Sequence, residues 1–230
     1  MLNRETYPNN LEKIDFRNEK KIIFLESEEF VVKLFSFLKF KEIYHKRKIN
    51  SIYFETFDFK DLLNTIDGEK NRSKLRVRWY GKTFNNSTIP VLENKIKINN
   101  QNFKIKQKLN EVNFLNNITV EKISDLIKKS NIDEKIKLKC KIRKPNILIS
   151  YERQYFMFNN IRITLDNKLF TLNFYRKKKI EESDMIKRKK FCIIELKYKD
   201  KDYNDVIKIT SNFKNRIRKF SKYEYSLIGV

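Results

Sequence analysis

The sequence predicts an α+β fold, a mostly antiparallel β-barrel whose lumen holds an anion. Short apolar, β-branched runs recur along the chain, and charged residues stand at i, i+2 inside them. The charge balance is also strongly cationic: 52 Lys and Arg against 29 Asp and Glu give a formal +23. Arg76 and Arg78 in Leu75-Arg76-Val77-Arg78-Trp79 carry the pattern, as do Glu93 and Lys95 before Ile96, and Glu195 and Lys197 before Tyr198. Because side chains alternate across a strand, each run is apolar on one side and polar, mainly cationic, on the other.

Alternation and β-branched content predict strands at 14–25, 49–56, 74–81, 91–98, 136–144, 148–158, 161–165, 169–175 and 191–198. Helical punctuation separates them. Ser27 precedes Glu28 and Glu29, and Phe30, Val31, Leu34, Phe35 and Leu38 follow at helical spacing, so a cap, an acidic first turn and an apolar stripe coincide. A second helix is expected from Phe59 to Ile66, stopped by Gly68, and a third from Val120 to Lys129 behind the cap Thr119. From Asp205 to about Lys222, the spacing of Val206, Ile209, Phe213, Ile217 and Phe220 predicts one long helix, with Arg216, Lys219 and Lys222 beside the stripe. The basic runs 176–179 and 187–190 flank Glu181, Glu182 and Asp184 and read as a solvated loop or hairpin tip.

With three Gly and three Pro no linker divides the chain, and one domain over 1–230 is expected. The positive charge favours an anionic partner, although a chain without alanine and rich in Lys, Asn, Ile and Phe also carries compositional bias. Placement of charge is therefore the better guide. Cys140 and Cys192 are isolated, which fits neither a zinc site nor a disulfide framework and suits a reducing compartment. A polar N-terminus, and Lys33 and Lys39 within the most apolar stretch, predict a cytoplasmic chain with no transmembrane segment. His45, the only histidine, stands beside Lys46, Arg47 and Lys48 and reads as a solvated surface residue.

One charged strand taken alone is ordinary surface decoration. Here the design repeats: Arg17, Glu19 and Lys21; Lys74, Arg76 and Arg78; Glu93, Lys95 and Lys97; Arg162, Thr164 and Asp166; Glu195 and Lys197. If those faces converged on empty space, each cation pair about 4 Å apart would cost on the order of 4 kcal/mol at an effective dielectric near 20. A chain of phosphates removes that cost, since Arg offers forks to phosphate oxygens and Lys supplies point charge. Glu19, Glu93 and Glu195 each precede a Lys by two residues. They would repel phosphate unless they pair with those lysines or hold Mn²⁺ or Mg²⁺, and Glu195, inside an apolar run, is the preferred ligand.

Taken in order, Arg17-Asn18-Glu19-Lys20-Lys21, Asn50-Ser51-Ile52-Tyr53-Phe54-Glu55-Thr56, Lys74-Leu75-Arg76-Val77-Arg78-Trp79-Tyr80-Gly81, Leu92-Glu93-Asn94-Lys95, Tyr151-Glu152-Arg153, Arg162-Ile163-Thr164-Leu165-Asp166, Ile194-Glu195-Leu196-Lys197-Tyr198 and Lys219-Phe220-Ser221-Lys222-Tyr223 resemble the VTC domain. This is the polyphosphate polymerase branch of the triphosphate tunnel metalloenzymes. The resemblance implies a closed antiparallel barrel, a tunnel with helices packed outside. It further implies transfer of the γ-phosphate of ATP or another NTP to inorganic polyphosphate. Phosphate would be held by Lys21, Arg76, Arg78, Lys95, Lys108, Arg153, Arg162, Lys197, Lys219 and Lys222, with Arg76, Arg78, Arg153 and Arg162 as the catalytic clamp. Glu195, with Glu19 and Glu93, would be the metal-binding set. Asn94 stands where the family has an apolar residue and should point outward, and Glu55 stands where it usually has Asp. The chain resembles the free-standing prokaryotic form, without the helical and transmembrane parts of the membrane-bound members.

Two other functions fit the residues. The same tunnel could pass the phosphate to water; hydrolases of the superfamily carry E-x-E-x-K on the first strand, and Arg17 at the first Glu position here favours the polymerase. A non-catalytic polyanion or nucleic-acid binder would also be basic, but the cations gather on no single helix or aromatic platform, which disfavours nucleic acid.

Overall fold

The computed structural model describes residues 12–13, 18–99, 101–174, 177–187, 191–213 and 220–229. In chain order they form β1 (Glu12–Lys13), β2 (Asn18–Phe24), α1 (Glu28–Phe37), β3 (Lys41–Glu55), α2 (Lys60–Ile66), β4 (Arg72–Tyr80), β5 (Val91–Ile98), β6 (Gln101–Lys108), β7 (Ile118–Thr119), α3 (Val120–Lys129), α4 (Glu134–Lys141), β8 (Lys144–Phe158), β9 (Ile161–Asn173), β10 (Lys179–Ile180), β11 (Ile186–Lys187), β12 (Cys192–Tyr198), α5 (Tyr203–Ser211) and α6 (Lys222–Ile228). One antiparallel sheet runs β1-β6-β5-β4-β3-β8-β9-β12-β2, with β11 added to β9; β7 and β10 make a separate pair. Among the described residues, hydrogen bonds do not close this sheet into the expected barrel. The ladder changes partner between Lys13, which lies on β6, and Asn18, which lies on β12. Only residues 14–17 separate these two edges in sequence, so they lie within roughly 18 Å of each other.

Strand alternation gives the sheet two faces, and the outer one carries two apolar cores. Leu75, Val77, Trp79, Leu92, Ile96 and Ile105 pack against Ile123, Leu126 and Ile127 of α3 and Ile136 of α4. Ile22, Phe24, Ile163, Leu165, Ile194 and Leu196 pack against Val31 and Phe35 of α1 and Val206 and Ile209 of α5. Each such side chain, fully buried, contributes roughly 1.5–3 kcal/mol, which is what fixes the helices to the sheet. The inner face is apolar at one end only. There Ile49, Ile147, Ile149, Leu169, Phe191 and Ile193 meet Leu62 of α2 and Tyr223 of α6. The remainder of that face is charged.

Local signals hold where capping decides the element. Ser27 Oγ accepts from the Phe30 amide at the start of α1, and Thr119 Oγ1 accepts from the Lys122 amide at the start of α3. α2 likewise falls inside its expected bounds, before Gly68 at φ 72°. Five readings change. The run 136–144 is helical as far as Lys141, in α4, because Asp133 Oδ1 accepts from the amides of Lys135 and Ile136 and the cap overrides the Lys/apolar alternation; only Lys144 is strand, at the start of β8. β3 begins at Lys41, its charged half paired with β8, and the runs 161–165 and 169–175 are joined in the single strand β9. β6 was not read from the sequence; it pairs with β5 across a turn holding Asn99 at φ 52°. The long C-terminal helix is two: α5 ends at Ser211, and Ser221, in extended conformation, caps α6 by accepting from the Glu224 amide. Arg17, Arg176, Arg216 and Lys219 lie outside the described residues. Among the described residues no helix is long and apolar enough to cross a membrane. His45 is exposed, its ring tilted against that of Tyr44.

Candidate active site

Strand register sorts the inner charges into rungs. Tyr53 of β3 lies opposite Arg76 of β4, Arg76 opposite Glu93 of β5, and Glu93 opposite Lys106 of β6. One rung along, Lys74, Lys95 and Lys104 stand side by side, and beyond them Arg72 faces Lys97. On the opposite wall Arg153 faces Asp166, Glu195 lies between Thr164 and Lys21, and Lys197 lies between Arg162 and Glu19. These rungs line a cavity of about 680 Å³ that takes in both walls, from Glu19 and Lys21 on β2 to Lys95 and Lys97 on β5. Lys74, Arg76, Arg78, Lys104, Arg153, Glu195, Lys197 and Lys222 all line it.

Carboxylates hold the cations at fixed positions. Glu93, 4 % exposed, has one oxygen 2.6 Å from Arg76 Nη2 and the other 2.6 Å from Lys104 Nζ, with Arg78 Nη1 at 3.7 Å. Burial opposes its charge, but Arg76, Arg78 and Lys104 outweigh burial and hold the carboxyl down at about 2. Asp166, 1 % exposed, accepts from Arg153 Nε at 2.5 Å and Nη2 at 2.7 Å, and Lys222 Nζ lies 2.5 Å from it. Lys222 also stands over the Tyr151 ring at 4.6 Å. Glu195 is 2.8 Å from Lys197 Nζ and 4.0 Å from Arg153 Nη2, while Glu19 is 2.7 Å from Lys21 and 3.9 Å from Lys197. Burial would raise Glu195; Arg153, Lys197 and Lys21 together pull it far below the ordinary carboxylate range.

The lysine row shows the opposite strain. Burial pushes Lys74 down to about 8, against the pull of Tyr53 and with Lys95, Lys21 and Arg72 adding repulsion. Burial also pushes Lys104 down to about 8, against the attraction of Glu93 and with Arg76 and Arg78 adding to it. Such a row, with like charges directly opposite on neighbouring strands, is destabilising until an anion lies across it.

α6 covers the apolar end. The Tyr223 hydroxyl donates to Glu55, whose carboxylate also accepts from the amides of Asp61 and Leu62 at 3.0 Å, at the first turn of α2. The Tyr223 ring stacks on Tyr53 at 5.0 Å, and Tyr53 Oη accepts from Arg76 Nη1 at 2.9 Å. Lys21 Nζ donates to the Phe220 carbonyl and Lys74 Nζ to Ser221 Oγ. Glu55, with its longer arm than the Asp usual in the resembling motif, therefore bridges α2 and α6.

Of the residues expected from sequence, Lys21, Arg76, Arg78, Lys95, Arg153, Lys197, Lys222, Glu19 and Glu195 line the one cavity. Lys108 is exposed at the end of β6, opposite Val91, and does not line it. Arg162 lines a neighbouring cavity that shares Lys197. Lys219 is outside the described residues. Glu93, expected as a metal ligand, has one oxygen against Arg76 and the other against Lys104. Asn94 does point away from the cavity, where its Oδ1 accepts from Ser73. Lys104, Lys74, Tyr53, Tyr151 and Asp166 were not among the expected site residues. Lys104 was legible only through its i, i+2 alternation with Lys106 and Lys108, in the strand that the sequence left unread.

No cluster of three or more His, Cys, Asp or Glu suited to a metal occurs among the described residues. Glu19 and Glu195 nevertheless fit a hard divalent cation that takes the rest of its shell from phosphate and water. They feel each other's charge and reach the same Lys197 from adjacent strands.

Solved structures share the overall fold. HpAC1 of Hippeastrum, described as an adenylyl cyclase candidate with a dominant triphosphatase activity, superposes with a TM-score of 0.52 at 14% identity, covering 92% of this chain and 96% of that one. An adenylate cyclase candidate of Bacillus halodurans gives 0.50 at 16% identity, over 89% of this chain and 95% of that one. Both share the fold. No curated protein matches in sequence. The VTC domain matches residues 11–228, nearly the whole length, and the chain belongs to the VTC domain family.

Proposed function

We propose that the chain is a polyphosphate polymerase, which transfers the γ-phosphate of ATP or another NTP to the end of a polyphosphate chain with Mn²⁺ or Mg²⁺. One observation carries the reading. Arg76, Arg78 and Arg153, each tied to a carboxylate, face a common cavity with Lys21, Lys95, Lys197 and Lys222 around Glu195. Phosphoryl transfer demands positioning and charge stabilisation more than covalent chemistry, and this wall supplies both. The arginine forks, held in orientation by Glu93 and Asp166, grip the triphosphate. The lysines balance charge on the attacking and leaving oxygens. Glu195 and Glu19 would hold the metal, which neutralises phosphate charge when bound. Incubation with ATP and Mn²⁺, followed by gel analysis, tests the proposal: long-chain polyphosphate is expected. Release of inorganic phosphate alone would replace this reading with hydrolysis, the activity described for the Hippeastrum protein.

A further inference from the structure

α1 carries two apolar rows, and its own sheet uses one of them. Val31 and Phe35 are buried against the outer face of the sheet, where Phe35 meets Phe156 of β8 edge to face at 4.9 Å. Phe30, Leu34 and Phe37 recur at i, i+4 and i+7, so they form a second row beside the first. Phe37 is 79 % exposed and Phe30 52 %, so these two rings alone leave roughly 200–300 Å² of apolar surface in water. With Leu34 between them, the row approaches the size that marks an interaction face. None of the three lines the central cavity or its neighbour.

Charge decides what this face accepts. The chain carries a formal +23, yet residues 25–41 hold three acids, Glu26, Glu28 and Glu29, against three lysines, Lys33, Lys39 and Lys41. A balanced stretch has little attraction for a polyanion or an anionic lipid surface, and two copies of a cationic chain can approach there with little repulsion. The signs are also separated along the helix. The acids stand at its N-terminal end, and the lysines run from its middle to beyond its C-terminal end. Glu28 is already engaged by Lys46 at 2.7 Å, so Glu29 is the acid of the helix left to meet a partner. Laid antiparallel on a second copy, with Phe30 level with Phe37 of that copy, α1 brings Glu29 level with Leu38 and beside Lys39 of the second copy. A two-fold axis repeats that contact, and the opposed helix dipoles favour it.

We propose that this face pairs the chain with a second copy of itself, α1 against α1 in antiparallel, as an isologous dimer. The dimer occupies a surface separate from the phosphate-facing cavity.

Sedimentation equilibrium of the full chain over a range of concentrations tests it, with Phe30→Gln/Phe37→Gln as the variant. Leu138→Gln/Ile142→Gln, two exposed apolar residues at α4, serves as the control for surface hydrophobicity in general. Expected is the mass of two chains for the wild type and the control. The variant should keep a native circular dichroism spectrum and show a dimer dissociation constant raised tenfold or more. Thiol cross-linking reads the register: chains with Phe30→Cys and chains with Phe37→Cys, mixed with an added oxidant, should link faster than either alone. Four results overturn the proposal. They are a wild type that stays monomeric, even if it sediments with phosphatidylglycerol vesicles; a dimer indifferent to the Phe variant; equal weakening in the control; or fastest linking through Phe30→Cys alone, which would mean a parallel pair.

Discussion

Glu195 sits where opposite demands meet: it is 7 % exposed, yet ionised because Arg153, Lys197 and Lys21 surround it. Replacing its charge while keeping its shape separates chemistry from packing. Glu195→Gln is expected to lower turnover by at least about a hundredfold, as losing a key electrostatic contact does, while the far-ultraviolet circular dichroism stays native. Turnover within a few-fold of wild type would remove Glu195 from the mechanism. The lysine row makes a pH prediction. Lys74 and Lys104 ionise near 8 in the folded chain, below the ordinary lysine value of 10.5. Between those limits the unfolded chain binds more protons, so stability contributed by these groups rises with pH there. Anion binding has the opposite sign. Tripolyphosphate affinity should fall at least severalfold from pH 7 to pH 9, with proton uptake on binding near pH 8, which calorimetry in buffers of different ionisation enthalpy would show. An affinity flat over that range would exclude both lysines from the anion's contacts.

α6 illustrates how an element is held by a few polar contacts. The short helix carries Lys222 and Tyr223, and its position depends on Ser221 as cap, on Asp166 and on the Tyr223 hydroxyl bound to Glu55. Tyr223→Phe keeps the ring stacked on Tyr53 and removes one donor from a buried carboxylate, which costs about 1–3 kcal/mol. The expected result is a lower urea midpoint together with a raised KM for the triphosphate substrate, since α6, which carries Lys222, loses one of its polar anchors. An unchanged KM would mean that Asp166, the Ser221 cap and the apolar contacts suffice to position Lys222. α4 and β6 teach the converse about reading elements. Lys-Ile-Lys-Leu-Lys-Cys alternates like a strand and is a helix because Asp133 caps it, whereas Gln101–Lys108 is a strand with so many polar residues that the alternation is hidden.

At the scale of the molecule the protein is a curled sheet with apolar cores outside and a cationic cavity inside, an arrangement that a bound anion would stabilise. Tripolyphosphate at a hundred times its dissociation constant should add about 2.7 kcal/mol of stability. The thermal shift should shrink with added salt, and the Arg76→Ala/Arg78→Ala variant should show little of it. Absence of any shift in the wild type would mean that the cavity does not bind the triphosphate.

The amino-acid sequence by itself determined the alternating charged faces, the capped helices α1 and α3, and the shared strand face of Arg76 with Arg78 and of Glu195 with Lys197, because strand parity and capping are local properties. It also carried the motif order by which the family is recognised. Only the tertiary structure decided that Glu93 neutralises Arg76 and Lys104, that Lys108 stays outside while Lys104 lines the cavity, that Arg162 belongs to a second chamber, and that the C-terminal stripe is interrupted at Ser221. Those outcomes depend on which strands lie side by side and in what register, and on a carboxylate from a distant segment arriving within reach. Such long-range pairings leave no trace in local spacing.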